Sequence, residues 1–203
     1  GIAETLVDDP QMEHDLRQKF MTKITDQSHR LSNLVSDLLA LARLDEREKT
    51  PKTRIDLITL IEERITSLTK VTAPEKMASL IFDKPAEPVH VFGDEEELRQ
   101  AIGNLIDNGL KYTPRNGSVR AVLSSTGDRA TIKIEDNGPG IPESEYDNVF
   151  KPFYKIDKGR ADAKSSVGLG MSIASDIIRS HGGNIKLEKS TLNGLSVKIF
   201  LPV

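Results

Sequence analysis

After residue 56 the chain alternates helix-like segments with strand-like segments, and tight-turn signals join several of the strands. Apolar residues at helical spacing predict helices over residues 57–71, 95–112 and 171–180. Short apolar runs and period-two alternation predict strands over residues 79–83, 89–92, 119–123, 130–136, 185–189 and 195–201. Thr126-Gly127-Asp128 and Asn193-Gly194 have the composition of hairpin turns. Hairpins with helices between them predict an α+β fold, in which helices cover a mixed or antiparallel sheet.

The composition is that of a folded protein without a strong overall charge. Hydrophobic residues make up 37% of the 203 residues and the formal net charge is −3. A packed core can therefore form, and no bulk positive field exists to attract nucleic acid or anionic lipid. Cysteine is absent, which excludes disulfides and thiolate chemistry. No apolar run approaches the roughly 20 residues of a membrane span, so we expect no membrane contact by this segment.

A helical seam precedes this region and predicts a helix over residues 15–44. Its apolar residues follow a 4-3 spacing with Gln27 at the polar step, and they are Phe20, Ile24, Leu31, Leu34, Leu38 and Leu41. This spacing suits packing in a helical bundle, but periodicity alone leaves open whether the partner is another helix or the chain's own domain. Asp8-Asp9-Pro10 before the helix and the charged stretch after it indicate boundaries. We expect a helical unit over residues 1–47, a linker over 48–55 and a second domain over 56–203.

The predicted helix 95–112 carries a polar face. Asn104, Asn108 and Lys111 lie at positions i, i+4 and i+7, so two amides and an ammonium share one side of the helix. Amide oxygens are ligands that Mg²⁺ accepts, and an ammonium can contact a phosphate. The alternative interpretation is an ordinary solvated helix face, which these residues alone do not exclude.

A glycine-rich turn, residues 136–142, follows the predicted strand 130–136. Its glycines permit close approach of the backbone to a ligand, and Asp136 can accept a hydrogen bond from an amino group such as that of adenine. Farther on, Gly168-Leu169-Gly170 opens a predicted helix, whose first N–H groups can bind an anion. An ordinary turn and a helix start without function are the respective alternatives.

An aromatic-rich segment, residues 149–157, lies between these two glycine-rich segments. We expect Phe150 and Phe153 to anchor it in the core. Residues 158–166 are polar or small and have little to bury, so they predict a loop that is mobile without a ligand.

The order of these segments resembles the ATP-binding domain of sensor histidine kinases, in the superfamily that also contains DNA gyrase and MutL. They look like the N, G1, F and G2 boxes of that family, and the match covers residues 56–203. The helix 15–44, with the run 29–39, resembles the second helix of the family's dimerisation and phosphotransfer domain. The resemblance implies a Bergerat-type two-layer α/β sandwich, in which three helices cover a mixed sheet, preceded by the remnant of a helical hairpin.

The resemblance also implies which residues bind the cofactors, ATP and Mg²⁺. Asn104 and Asn108 would hold the metal, and Asp136 would accept from the adenine amine. The implied ATP-binding residues are Asn104, Asn108, Lys111, Tyr112, Asp136, Gly138, Gly140, Ile141, Lys155, Gly168, Leu169 and Gly170. Residues 155–167 would form a lid over the nucleotide, and Lys155 stands where family members usually have Arg.

By the same resemblance, the full protein would be a cytoplasmic kinase, or the cytoplasmic part of a membrane-anchored sensor. It would form a homodimer through the helical segment and phosphorylate a histidine, for relay to an aspartate on a response-regulator receiver domain. The family's acceptor histidine lies on a helix that would precede Gly1, and His14 matches the acceptor motif only in part. We therefore expect the acceptor to lie outside this chain, which would not autophosphorylate by itself.

Two alternatives belong to other functional classes. One is a non-catalytic module that senses nucleotide, against which Asn108, Asp136 and the paired glycines argue. The other is an ATPase clamp of the gyrase type. The hydrolytic relatives have a Glu general base where Asn104 stands, and an amide cannot take a proton from water at neutral pH.

Overall fold

A computed structural model describes residues 1–9, 12–42, 52–71, 78–156 and 167–203, which divide into two compact units, Gly1–Leu44 and Asp45–Val203. The first unit consists of α1 (Ile2–Asp8) and α2 (His14–Ala42). In α2, Phe20 is half-buried, whereas Leu31 and Val35 are exposed. None of the helices in the described ranges is both long and apolar enough to cross a bilayer.

The second unit contains a mixed five-stranded sheet and a small two-stranded sheet. Its helices are α3 (Leu57–Val71), α4 (Glu95–Tyr112) and α5 (Gly170–Ser180). Its strands are β1 (Thr53–Asp56), β2 (Ser79–Asp83), β3 (His90–Gly93), β4 (Ser118–Thr126), β5 (Arg129–Asp136), β6 (Asn184–Lys189) and β7 (Leu195–Pro202). The large sheet has the order β2-β4-β5-β7-β6, and only the β2–β4 pair is parallel. The predicted α+β fold with a mixed sheet is therefore confirmed.

The core lies between one face of the large sheet and α3, α4 and α5. The fully buried side chains come from both layers and include Leu57, Ile61, Leu98, Ile102, Leu105, Ile106, Ile132, Ile134, Ile173 and Ile177. On α4 these are the apolar positions that helical spacing predicts to face inward. Burial of each such side chain contributes about 1.5–3 kcal/mol, which holds the opposite, polar face of α4 in a defined orientation.

The sequence does not predict the first strand of this unit. β1 pairs antiparallel with β3, with Thr53 opposite Gly93 and Asp56 opposite His90. It therefore occupies residues 53–55 of the range that the sequence assigns to a linker. Such a short strand with charged residues has little local signal, because it forms through pairing with a partner distant in sequence.

The Gly182-Gly183 pair predicts a left-handed end of α5, and the helix ends in this way. Gly182 has φ +73°, and the N–H of Gly183 donates to the carbonyl of Ile178 at 2.9 Å, as in a Schellman motif. His181 is buried beside it and accepts from the N–H of Asp94 through Nε2 at 3.0 Å, while Nδ1 lies 2.8 Å from the carbonyl of Ile177. His181 thus joins the end of α5 to the start of α4.

Candidate functional site

The helix that carries the polar face, α4, is capped at its N-terminus. Asp94 accepts from the N–H of Glu97 at 3.0 Å, and acidic residues fill the first turn, where the helix dipole favours them. Asn104 and Asn108 are half-buried and lie outside the row of apolar residues that faces the core. The Nδ2 of Asn104 donates to the carbonyl of Gly170 across a long 3.5 Å contact. The structure thus brings the predicted metal-binding amide against the first residue of α5.

Asp136 lies at the end of β5 and is 7% exposed. Its Oδ1 accepts two backbone hydrogen bonds, from Gly138 at 2.8 Å and from Leu195 at 3.1 Å. Among the described residues, no hydrogen bond ends on Oδ2. Burial raises the pKa of the Asp136 carboxyl, and the two backbone donors partly oppose this effect. The carboxylate is therefore oriented through one oxygen and presents the other as an acceptor.

Gly138 and Gly194 allow the loops that carry them to pack closely around Asp136. A Cβ on Gly138 would lie 2.8 Å from the carbonyl oxygen of Tyr112, so this glycine packs directly against the end of α4. A Cβ on Gly194 would overlap Asp136 Oδ1 and lie 2.6 Å from the nitrogen of Gly138. The sequence predicts Gly194 as a hairpin residue and does not indicate this role, because its contact with Asp136 exists only after β5 and β7 have paired.

The backbone of the aromatic segment contacts Gly168, which lies just before α5. The N–H of Phe153 donates to the carbonyl of Gly168 at 2.9 Å, and a Cβ on Gly168 would lie 2.8 Å from the carbonyl oxygen of Tyr154. Phe153 has φ +64° and is 62% exposed, so the prediction that it anchors the core is wrong. The left-handed backbone turns the chain toward Gly168 and directs the ring outward. Phe150 is half-buried.

The start of α5 has the features of an anion site. The N-cap residue is Leu169, which is buried and provides no capping side chain. Gly168 and Gly170 carry no side chain that could cover the first turn. Among the described residues, no side chain caps the first backbone N–H groups of α5, and the positive end of the helix dipole favours an anion there.

The remaining predicted residues are less closely joined to this site. Lys111 Nζ lies 4.9 Å from the ring centre of Tyr112, which is 49% exposed. Gly140 has φ +68° and approaches the backbone of Gly194. Ile141 and Lys155 are half-buried. Of the predicted lid, residues 157–166 lie outside the described residues.

The donor set fits a metal that is shared with phosphate oxygens. Within the described ranges, no group of three or more His, Asp or Glu could hold a metal by itself. Asn104 and Asn108 instead offer amide oxygens one helical turn apart, and Asn104 lies beside the start of α5. The Nδ2 of Asn104 is the donor in this contact, and its Oδ1 accepts no hydrogen bond from the described residues. Mg²⁺ typically takes a few protein ligands and completes its coordination with phosphates and water.

Comparison with known proteins places this arrangement in a family. Residues 93–203, more than half of the chain, match the family described as histidine kinase-, DNA gyrase B- and HSP90-like ATPase. The sensor-like histidine kinase SenX3 of Mycolicibacterium smegmatis is 31% identical over 205 residues, which cover 99% of this chain and 52% of SenX3. The chain thus spans about half the length of that relative.

Solved structures have the same fold. The mycobacterial sensor histidine kinase MprB is 26% identical with a TM-score of 0.62, over 74% of this chain and 97% of its own. The histidine kinase ThkA, solved in complex with the response regulator protein TrrA, is 23% identical with a TM-score of 0.71, over 99% of this chain and 56% of its own. The latter similarity concerns the fold alone. With the family match over more than half of its length, the chain belongs to the histidine kinase-, DNA gyrase B- and HSP90-like ATPase family, and its second unit is an ATP-binding domain of the histidine kinase type.

Proposed function

We propose that this chain binds ATP together with Mg²⁺, and that the longer protein uses the bound nucleotide to phosphorylate a histidine. The observation that carries the proposal is the carboxylate of Asp136, which is held by two backbone N–H groups at Oδ1 and keeps Oδ2 as an acceptor. The adenine amino group is a donor that this oxygen can bind. Gly138, Gly140 and Ile141 would shape the pocket around the base.

The phosphates would bind between the polar face of α4 and the first turn of α5. Asn104 and Asn108 would hold Mg²⁺ through their amide oxygens, and Lys111 would contact a phosphate. The N–H groups after Gly168-Leu169-Gly170 would bind phosphate oxygens. Tyr112 and Lys155 would complete the nucleotide contacts. When bound, Mg²⁺ neutralises charge on the phosphate oxygens.

Asn104 favours transfer of the phosphoryl group over hydrolysis. Its amide can hold a metal but cannot deprotonate water at neutral pH, so the site lacks a general base at this position. Such a site retains ATP until an acceptor side chain is positioned. This supports a histidine kinase over a hydrolytic clamp.

The partners of the longer protein follow from the same proposal. We infer a homodimer formed through the helical unit, because α2 exposes Leu31 of the predicted seam and Val35 on its flank. A response-regulator receiver domain would take the phosphoryl group, as the resemblance to sensor histidine kinases implies; ThkA, which has a similar fold, was solved in complex with the response regulator protein TrrA. The catalytic unit would act in the cytoplasm.

Calorimetry with ATP, in the presence and absence of Mg²⁺, tests the nucleotide proposal. We expect micromolar to millimolar affinity that is higher with Mg²⁺. Asn108→Ala should remove most of the increment due to Mg²⁺, because it deletes an amide ligand. Asn184→Ala, an exposed residue at the start of β6, is the matched control and should retain the increment. If Mg²⁺ strengthened binding equally in all three proteins, the assignment of the metal to α4 would be wrong.

The raised pKa of Asp136 predicts how nucleotide affinity depends on pH. Because burial disfavours the charged form, Asp136 should take up a proton at higher pH than an ordinary aspartate. Oδ1 already accepts two N–H groups, so the proton would go to Oδ2 and oppose the adenine amine. As the pH falls, the affinity of the wild type for ATP should decline toward that of Asp136→Asn. The phosphates of ATP also titrate, but they affect both proteins equally, so the ratio of the two affinities reports on Asp136. A ratio of the two affinities that stays constant through this range would contradict the prediction.

A further inference from the structure

We propose that Glu135 and Thr191 are positioning residues that hold Asp136 in the orientation needed to distinguish adenine from other purines. Glu135 contacts Thr191 and Lys133 on the opposite face of β5 from the Asp136 side chain. This inference rests on the proposed function, because it concerns how the same acceptor is kept in place. Neither the polar pattern of the sequence nor the family motifs described above assign a role to these residues.

Glu135 is a buried acid whose Oε1 accepts hydrogen bonds and whose Oε2 forms an ion pair. It is 1% exposed, although alternate residues of β5 point away from the helices. Its Oε1 accepts from the N–H of Thr191 at 3.1 Å and from the Thr191 hydroxyl at 3.0 Å, and Oε2 lies 2.9 Å from Lys133 Nζ. These partners lower the pKa of Glu135 despite the opposing effect of burial. The carboxylate of Glu135 therefore keeps its negative charge and holds Thr191, at the start of the β6–β7 turn, through these hydrogen bonds.

The other end of the same turn holds Asp136. The N–H of Gly194 donates to the carbonyl of Asp136 at 3.1 Å, and the N–H of Leu195 donates to its Oδ1 at 3.1 Å. Glu135 and Asp136, which are consecutive in β5, therefore bind opposite ends of the β6–β7 turn. Their side chains lie on opposite faces of the sheet. The position of Leu195 N–H, and with it the carboxylate of Asp136, depends on where the turn is held.

The turn is rigid enough to connect these two ends. The N–H of Ser190 donates to the carbonyl of Gly194 at 3.0 Å, and the N–H of Asn193 donates to the carbonyl of Ser190 at 3.1 Å. The Ser190 hydroxyl also accepts from the N–H of Leu192 at 2.9 Å. Because these bonds close the turn on itself, releasing Thr191 from Glu135 shifts the whole turn rather than one residue of it.

This role makes a specific prediction about base selectivity. ATP and inosine triphosphate carry the same phosphates and sugar, but inosine has an oxo group in place of the adenine amine. A loosened Asp136 should weaken ATP binding and leave inosine triphosphate nearly unchanged. A merely structural role would weaken both nucleotides alike.

The test measures Mg²⁺-supported binding of ATP and of inosine triphosphate by calorimetry, with folding checked by thermal denaturation. We expect Thr191→Val to reduce the preference for ATP by about three- to tenfold, since it loses one hydrogen bond to a charged acceptor. Thr191→Ser keeps the hydroxyl and should retain the preference. Thr131→Val is the matched control, because Thr131 lies earlier on β5 and makes no side-chain hydrogen bond with the described residues.

Each outcome decides the inference. The positioning role is supported if Thr191→Val has a smaller preference for ATP over inosine triphosphate, while Thr191→Ser and Thr131→Val keep the preference of the wild type. An unchanged preference in Thr191→Val overturns the positioning role and leaves the adenine assignment of Asp136 intact. If wild type itself does not prefer ATP over inosine triphosphate, the adenine assignment fails, and the positioning role fails with it. Glu135→Gln provides a second variant, which keeps the shape of the side chain and should narrow the preference in the same direction.

Discussion

Replacing Asp136 with Asn is expected to lower the affinity for ATP by about 10- to 150-fold, since a hydrogen bond to a charged group contributes about 1.5–3 kcal/mol. The structure gives the reason in atomic terms. The amide has one accepting oxygen, and the N–H groups of Gly138 and Leu195 require it at the position of Oδ1. The NH₂ group must then take the place of Oδ2, where it opposes the adenine amine.

Calorimetry with ATP on both proteins measures this loss. Asp128→Asn is the control for the change in net charge, because Asp128 is exposed in the β4–β5 hairpin, away from the loops around Asp136. It should bind ATP as wild type does. Equal affinity of wild type and Asp136→Asn would remove the adenine assignment, whatever the control showed.

Replacing Gly194 with Ala is expected to damage both the fold and the site. The new Cβ would overlap Asp136 Oδ1 and the Asp136 carbonyl, and it would lie 2.6 Å from the nitrogen of Gly138. These atoms belong to backbone or to a buried side chain, so the turn and β5 must separate. We expect a loss of about 1–3 kcal/mol in the free energy of unfolding. We also expect about tenfold or weaker ATP binding, because Leu195 can no longer orient Asp136.

Denaturation in urea gives the stability, and calorimetry at a temperature where the variant is folded gives the affinity. The control is Gly127→Ala, where a Cβ meets nothing within 4 Å but the residue has φ +63°. It should lose about 1–2 kcal/mol from the left-handed backbone alone and keep its affinity for ATP. Wild-type affinity in folded Gly194→Ala would show that this contact does not hold the site.

The features that sequence could predict are those whose cause is local. Helical spacing predicts that Leu98, Ile102 and Ile106 of α4 face the core, and that Asn104 and Asn108 share a polar face outside it. Gly182 ends α5 in the left-handed conformation, and Gly127 turns the β4–β5 hairpin. Each follows from the conformational preferences of a few neighbouring residues or from the period of one element, so no partner elsewhere in the chain is needed to infer it.

The features that sequence could not predict depend on contacts between distant segments. β1 exists because β3 pairs with it, and Phe153 turns outward because its N–H reaches Gly168 across the predicted lid. Glu135 meets Thr191, and Asp136 meets Gly194, only when β5 and β7 lie side by side. The sequence alone therefore determined the helices and the strands other than β1 in the second unit, the polar face of α4 and the candidacy of Asp136 as the acceptor. The tertiary structure decided which of its two oxygens stays available, because the donors that occupy the other come partly from the β6–β7 turn, whose position is set by strand pairing.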